Sequence, residues 1–405
     1  MNKISETLKT RYGLPEEVVF CKRCTLSNQR PTSTPEFINT PDRIIKTLHI
    51  DEEGVCDPCR YLEQKENINW DQREKELLFL LDTHRRNDGY YDCIVPGSGG
   101  KDSCYASHIL KYKYGMHPLT VTWPPMIYTD IGWKNFRRWI DIGGFDNISF
   151  NYNGKIHSLL TKISIENLLH PFQPFILGQK NLAPKIAVKY NIPLVFYGEN
   201  EAEYQNPIAD NETSMRNRSF YAMKNLNEIF LGGVSVKELF EKYKLTLHDI
   251  QSYLPPDVPE LEKTKVEVHY LGYYTKWTPQ EAFYYATENC GFQVNPSRTE
   301  GTYNKYISLD DRIDGFNYYT MYIKFGLGRT TIESSQEIRN KHLTREEAVA
   351  LVRRFDGEFP MQYFHEIMDF IGMKPDYFHE LCDKFRPPHL WKKENGDWKL
   401  RHKIS

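Results

Sequence analysis

One turn restricts the folding of this chain more than any other feature. Pro96-Gly97-Ser98-Gly99-Gly100-Lys101-Asp102-Ser103 lies between Asp92–Val95, a short apolar run that reads as a buried strand, and a helix-like stretch over Ser103–Tyr114. Glycines let the backbone take positive φ and approach a ligand without a Cβ. A helix start adds unsatisfied N–H groups and the positive end of the helix dipole. Strand, glycine turn and helix N-terminus in succession make an anion cradle. Ser98 and Ser103 add hydroxyls, and Lys101 a charge. A Walker A loop is excluded, because that motif needs Ser or Thr directly after its Gly-Lys to reach magnesium, and Asp102 holds that place. A carboxylate beside phosphates repels them unless a cation lies between. Asp102 therefore reads as a magnesium ligand or as the N-cap of the following helix.

The flanking pattern sets the fold class. Strand-like runs at Leu119–Trp123, Ile148–Asn151 and Pro193–Tyr197 alternate with helical ones at Trp133–Ile142, Ile156–Leu169 and Gln179–Tyr190. Such alternation predicts βαβ units, hence an α/β fold with a parallel sheet flanked by helices. A helix is expected from about Trp70, with Leu77, Leu78, Leu80 and Leu81 following charged residues. Residues 1–70 are poor in apolar periodicity, and Arg30–Asp42 carries Pro31, Pro35 and Pro41. After Gly232 helical signals dominate, at Val236–Tyr243, Pro279–Asn289, Arg345–Phe355 and Gln362–Gly372, with aromatic-rich loops at Tyr270–Trp277 and Tyr303–Tyr322. The expected organisation is an N-terminal module over 1–70, the α/β domain over 71–232, and a mainly helical substrate- or partner-binding region over 233–405.

Composition removes several function classes. At 40% hydrophobic and 26% charged residues, the 405-residue chain is too apolar to be disordered and too charged for a membrane protein. Lys plus Arg (52) nearly balances Asp plus Glu (54), so overall charge gives no argument for a nucleic-acid partner. The N-terminus lacks the apolar core of a secretory signal, so a cytoplasmic location is expected, with no membrane partner.

Four of the eight cysteines form two pairs, Cys21-x-x-Cys24 and Cys56-x-x-Cys59, separated by 31 residues. In a reducing compartment such pairs point to metal before disulfide. Four thiolates on one tetrahedral ion suit Zn2+ in a structural role, since no coordination position stays open. An iron–sulfur cluster and redox-active thiols are the alternatives. Cys93, Cys104, Cys290 and Cys382 are isolated and read as buried apolar thiols.

Ser98-Gly99-Gly100-Lys101-Asp102-Ser103 resembles the SGGxDS signature of the PP-loop ATP pyrophosphatases, which have an adenine nucleotide alpha hydrolase-like fold. The resemblance implies ATP and Mg2+. It implies cleavage between the α and β phosphates, with the loop gripping the departing pyrophosphate while AMP passes to a carbonyl-like oxygen. It also implies that Val121, Thr122 and Trp123 line the nucleotide pocket. Further blocks resemble the N-acetyl sugar amidotransferases: Cys21-x-x-Cys24-Thr25 with Arg30-Pro31, then Asp51-Glu52-Glu53-Gly54-Val55-Cys56, Phe196-Tyr197-Gly198-Glu199-Asn200 and Ser308–Phe316. Ile323–Arg329, Ser335–Arg339 and Asp356–Pro360 continue the likeness. That family serves pseudaminic and legionaminic acid pathways and acetamidino-sugar formation in surface polysaccharides such as lipopolysaccharide. The chemistry implied is adenylation of the acetamido oxygen of an N-acetyl sugar acid, followed by attack of ammonia. The chain shows no glutaminase elbow, so a separate glutaminase subunit is the expected ammonia supplier, and a cyclase-like channel subunit is a further candidate partner.

Other residues carry more than one reading each. Glu199, at the end of a strand, either coordinates magnesium, orients the acetamido group, or is a solvated carboxylate. Lys324 and Arg329 flank Phe325-Gly326-Leu327-Gly328 and either neutralise phosphate charge or are surface cations. Asp310, Asp311 and Asp314 bind sugar hydroxyls or magnesium, or cap a loop. Arg216 and Arg218 pair with a sugar carboxylate or are surface charge. Tyr270, Tyr273, Tyr274, Trp277, Tyr318 and Tyr319 stack on sugar or pack, and the basic tail Trp391–Ser405 is a solvated end or a partner contact. The competing function is a tRNA-thiolating PP-loop enzyme. It calls for a basic face and further paired cysteines in the α/β domain, and Cys93 and Cys104 flank the loop without forming a CxxC.

Overall fold

The computed structural model describes residues 8–32, 36–39, 45–199, 213–222 and 225–405. Pro35, Pro41 and Asn200 lie outside these.

Five parallel strands form the central sheet: β1 (Cys93–Pro96), β2 (Pro118–Thr122), β3 (Asn147–Ser149), β4 (Leu194–Tyr197) and β5 (Glu267–Tyr270), in the order β3-β2-β1-β4-β5. All of β2 and β4, and all but the last residue of β1, are buried. This follows from helices covering both faces and explains their near-continuous apolar character. The chain leaves β1 towards β2 and β3, then returns to place β4 on the other side of β1. The crevice beyond the carboxyl ends of β1 and β4 is the topological switch point, where open α/β sheets bind ligands.

β5 corrects the expectation from sequence, in which an aromatic-rich loop starts at Tyr270. Glu267–Tyr270 alternates polar with apolar and is only four residues long, so it offers little periodicity. Pairing with β4, in register from Leu194↔Glu267 to Tyr197↔Tyr270, stabilises it. The sheet thus draws its last strand from beyond residue 232.

The helices that position the site are α1 (Asp57–Glu66), α2 (Trp70–His84), α3 (Lys101–His108), α4 (Asp130–Asp141), α5 (Gly154–Leu168), α6 (Gln173–Tyr190) and α7 (Pro279–Cys290). Thr129 caps α4 by accepting from the Gly132 N–H, and Asn153 caps α5 through Lys155 and Ile156. α6 lies across β1, β2 and β4, while α7 packs on α3 and brings Cys290 beside Cys104. Those two thiols, isolated in sequence, are neighbours in space.

Beyond α7 come α8 (Asp314–Phe325), α9 (Arg329–Arg339), α10 (Arg345–Phe355), α11 (Phe364–Ile371) and α12 (Pro375–Phe385). α8 occupies a stretch that reads as loop in the sequence. Its many aromatics are poor helix formers, and tertiary packing overrides them: Phe316 stacks on Phe364 and meets Phe378 edge-on, with centroids 6.0 and 5.9 Å away. α9 is nearly all polar yet buried, with Arg329, Thr330, Glu333, Ser334 and Glu337 inside the protein. No helix among the described residues is long and apolar enough to cross a membrane.

The basic tail is packed. Trp391–Glu394 (β6) and Asp397–Leu400 (β7) form a hairpin. Trp391 is 4% exposed and its indole N–H donates to Ile323 O at 2.8 Å, and Arg353 holds Ile404 O. Trp391→Ala is therefore expected to destabilise the protein by about 3 kcal/mol in denaturant titrations. A change within about 0.5 kcal/mol, as for a solvated residue, would show that the tail does not pack.

Candidate active site

The glycine turn sits at the switch point and is held by close backbone contact. Gly99 has φ +86°, and a Cβ there would lie 2.5 Å from Phe136 Cα on α4. At Gly97 a Cβ would lie 2.2 Å from that of Ser103. α3 starts after Gly100, whose extended backbone caps it without any side-chain acceptor. The first N–H groups of α3 are thus left for a ligand. Because Gly100 occupies the N-cap, Asp102 does not cap. Lys101 is buried, with Nζ 2.6 Å from Asp102 Oδ2 and 6.0 Å from the ring centroid of Trp277. Asp102 Oδ1 is enclosed and has no hydrogen-bond partner among the described residues. An orphaned carboxylate oxygen beside an anion cradle is what a bridging cation requires, so Asp102 fits magnesium.

β4 delivers the second carboxylate. A Cβ on Gly198 would lie 2.7 Å from the Asp102 carbonyl oxygen, so only glycine lets the end of β4 rest on the start of α3. The next residue, Glu199, lines the same cavity as Asp102. Burial, helped by the charge of Asp102, pushes Glu199 up to about 7. Arg216 is buried with its guanidinium 4.0 Å from the Tyr197 ring centroid, and its Nε donates to Tyr270 Oη at 2.7 Å. It acts on Glu199 as a counter-charge. Arg218 is exposed.

The third wall comes from far along the chain. Residues 309–312 pair with the segment after β2: Thr129 N–H donates to Asp310 O at 3.0 Å, Arg312 N–H donates to Ile127 O at 3.0 Å, and Tyr128 bridges to Asp311. Gly132 permits this, since a Cβ there would lie 2.4 Å from Asp310 Cα. The Asp311 carboxylate accepts from the N–H groups of Met126, Ile127 and Ile313, which makes it a clamp. Asp310 hydrogen-bonds Ser98 of the glycine turn. Asp310 and Asp314 line a cavity of about 320 Å³ together with the loop, Glu199, Gln179 and Tyr318. Burial raises all three aspartates, Asp311 to about 7, and in Asp314 the charges of Asp310 and Asp311 add to the effect. Acidic groups so placed around a helix N-terminus suit a cation, or a substrate that donates hydrogen bonds.

Several expected residues are not brought to this cavity. Lys324 is buried between Glu36, at 2.5 Å, and Leu168 O, at 2.7 Å. It ties α8 to the end of α5. Arg329 is buried too; it pairs with Glu333 at 2.8 Å and donates to Thr299 Oγ1 and Ile307 O. It therefore supports the 299–308 loop from behind. Neither lines the cavity, so neutralisation of phosphate charge by these two finds no support in their placement. Val121 and Thr122 are wholly buried in β2, and Trp123, 3% exposed, lines a different cavity. Gln179, Asn135 and Phe175 line the cavity, and no motif in the sequence marks them.

The cysteine pairs converge. Cys21, Cys24, Cys56 and Cys59 are buried, with all four Sγ atoms within 4.8 Å of one another. Cys24–Cys56 and Cys21–Cys59 are 3.6 and 3.9 Å apart, close to the ~3.8 Å of a tetrahedral site with Zn–S bonds of about 2.3 Å. The N–H groups of Arg23 and Cys56 donate to Cys21 Sγ. The cluster can hold a metal ion. Thr25 fixes this module to α9, donating to Thr331 O at 2.8 Å and meeting Ser334 Oγ at 3.2 Å.

Two measurements follow from this geometry. Metal analysis is expected to find about one zinc per chain, lost in Cys56→Ser together with thermal stability; a folded Cys56→Ser chain with full metal content would contradict the site. Glu199 holds its proton more tightly folded than unfolded, so its contribution to stability falls as pH rises from about 4 to about 7. Glu199→Gln in metal-free protein should stabilise on the order of 2 kcal/mol at about pH 8 and much less at about pH 5. The same change at both pH values would remove Glu199 from a desolvated site.

Comparison with known proteins bears on the third wall. Residues 300–405 match the family described as LPS biosynthesis protein WbpG-like, C-terminal domain. Over 76 residues, 19% of this chain, the sequence is 33% identical to the uncharacterized protein MJ1599 of Methanocaldococcus jannaschii, of which 27% is covered. The NH3-dependent NAD synthetase of Campylobacter jejuni overlays 34% of this chain and 59% of its own, at 15% identity and a TM-score of 0.26. The NMN synthetase of Francisella tularensis overlays 56% of this chain and 89% of its own, also at 15% identity and a TM-score of 0.26. The chain thus spans about a quarter of the curated relative and less than two thirds of the NAD synthetase.

Proposed function

We propose that this protein is an ATP-dependent amidotransferase of surface-glycan biosynthesis. It adenylates the acetamido oxygen of an N-acetyl sugar acid of the pseudaminic or legionaminic type, and ammonia then displaces AMP to leave an acetamidino group. One observation carries the reading. A phosphate loop at the switch point of a parallel sheet shares a cavity with an acidic wall, and that wall belongs to the region matching a lipopolysaccharide-biosynthesis domain.

The first N–H groups of α3 and the Ser98 hydroxyl bind the outer phosphates, with the helix dipole favouring their charge. Asp102, through Oδ1, and Glu199 are the residues that would hold Mg2+, which neutralises phosphate charge and steadies the departing pyrophosphate. The acetamido oxygen attacks the α-phosphorus, the bond to the bridging oxygen breaks, and pyrophosphate leaves with the electron pair. Amide oxygen is a poor leaving group; as part of AMP it becomes a good one. Ammonia adds to the imidate carbon, the carbon–oxygen bond breaks, and AMP departs. Asp310 or Asp314 takes the proton that the nitrogen gives up, a role suited to a carboxylate that burial makes a stronger base than in water. A separate glutaminase subunit, with a cyclase-like channel subunit as a further candidate, supplies the ammonia.

ATP, Mg2+, an N-acetyl sugar acid and ammonium together should yield AMP and pyrophosphate in equal amounts, with a sugar in which NH replaces one oxygen. Asp102→Ala is expected to lower kcat/KM at least about a hundredfold while circular dichroism stays unchanged. Formation of ADP, or of AMP only with tRNA and a sulfur donor, would overturn the reading.

A further inference from the structure

A second and larger cavity, about 680 Å³, opens further along α6 than the phosphate-loop cavity. Trp123 at the end of β2 forms part of its wall, and Phe150 and Tyr152 stack on that indole with centroids 5.5 and 4.7 Å away and planes tilted by 12° and 21°. Phe150 is 38% exposed, so the stack presents open aromatic surface. The rim carries hydrogen-bonding side chains, Asn153, Asp257 and Glu260.

Lys185 is the informative residue. It projects from α6 into this lining, and its Nζ donates to two main-chain oxygens, Gln251 O at 2.6 Å and Ser252 O at 3.0 Å. Among the described residues it has no carboxylate partner. Burial without a counter-charge pushes Lys185 down to about 8. A half-buried ammonium whose partners are neutral carbonyl oxygens, with no carboxylate beside it, is open to an anion that a ligand brings. The carbonyl contacts leave one ammonium hydrogen for that ligand.

We propose that this cavity binds a carbohydrate bearing a carboxylate, with the acid on Lys185, a ring face on Phe150, which Trp123 backs from inside, and hydroxyls on Asn153, Asp257 and Glu260. Aromatic faces accept the C–H face of a sugar ring. Acidic rim groups favour hydroxyl donors over a phosphate, whose higher charge they repel. The assignment does not rest on the phosphate-loop chemistry, and either can fail alone.

Footprinting tests it on the unaltered protein. At about pH 8, limiting acetic anhydride should acetylate Lys185, and N-acetylneuraminate, used as the probe acid, should protect it in mass spectra. N-acetylmannosamine, which lacks the carboxylate, should need at least about tenfold more for the same protection. In calorimetry Lys185→Met should weaken binding of the acid at least about tenfold, and Lys185→Arg should restore most of it. Protection equal for the acid and the neutral sugar, protection by inorganic phosphate alone, or unchanged affinity in Lys185→Met would each overturn the proposal.

Discussion

The candidate active site depends on backbone packed against backbone at points where no side chain fits. Gly99 lies on Phe136 of α4, Gly198 on the carbonyl of Asp102, and Gly132 on Asp310. Together they join the phosphate loop, the end of β4, the start of α4 and a segment some two hundred residues further on. A Cβ at any of the three would meet backbone atoms, which do not rotate away as a flexible side chain would. Interiors packed as densely as crystals transmit such a displacement instead of absorbing it. The spacing between Asp102, Glu199 and Asp310 is therefore set by the packing of main chain and not by the side chains' own preferences.

That rigidity has an energetic consequence. Asp102, Glu199, Asp310 and Asp314 share one small cavity; burial disfavours ionisation of Glu199, Asp310 and Asp314, and the charge of Asp102 adds to the effect on Glu199. Without ligands the arrangement opposes folding, and a cation or a hydrogen-bonding substrate reverses the balance. Such local conflict with stability is common at functional sites. The N-terminal module acts in the opposite sense: its thiol cluster and Thr25 brace α9, whose Arg329 and Glu333 support the loop behind the acidic wall.

Much of the sheet was legible in the sequence because β1, β2 and β4 are covered on both faces, and continuous apolar runs such as those at Val95 and Val195 report that directly. The placement of Gly99 and Asp102 was legible as well, since a glycine turn between a strand and a helix-like stretch sets them at the start of α3. The convergence of the cysteine pairs followed from their spacing. β5 was not legible, because Val268 is buried in a core built from residues distant in sequence and the strand pairs with β4, neither of which a local pattern encodes. Lys324 and Arg329 misled for a related reason. A cation next to glycines looks the same in sequence whether it meets a phosphate or a buried glutamate, and Glu36 and Glu333 are partners found only in three dimensions. α9 shows the limit most plainly: Arg329–Arg339 has almost no apolar residues to mark a buried face, yet its polar residues lie inside the protein. Lys185 had no signal at all, since its significance lies in the charge that does not accompany it.

The central claim is that the phosphate loop and the acidic wall bring an acetamido oxygen to the α-phosphorus. Oxygen-18 placed in the acetamido carbonyl of the sugar acid tests this most directly. The account predicts that AMP released in the presence of ammonium carries the label and the sugar product loses it. Unlabelled AMP, with oxygen-18 retained in the sugar, would show that the acetamido oxygen never bonds to phosphorus.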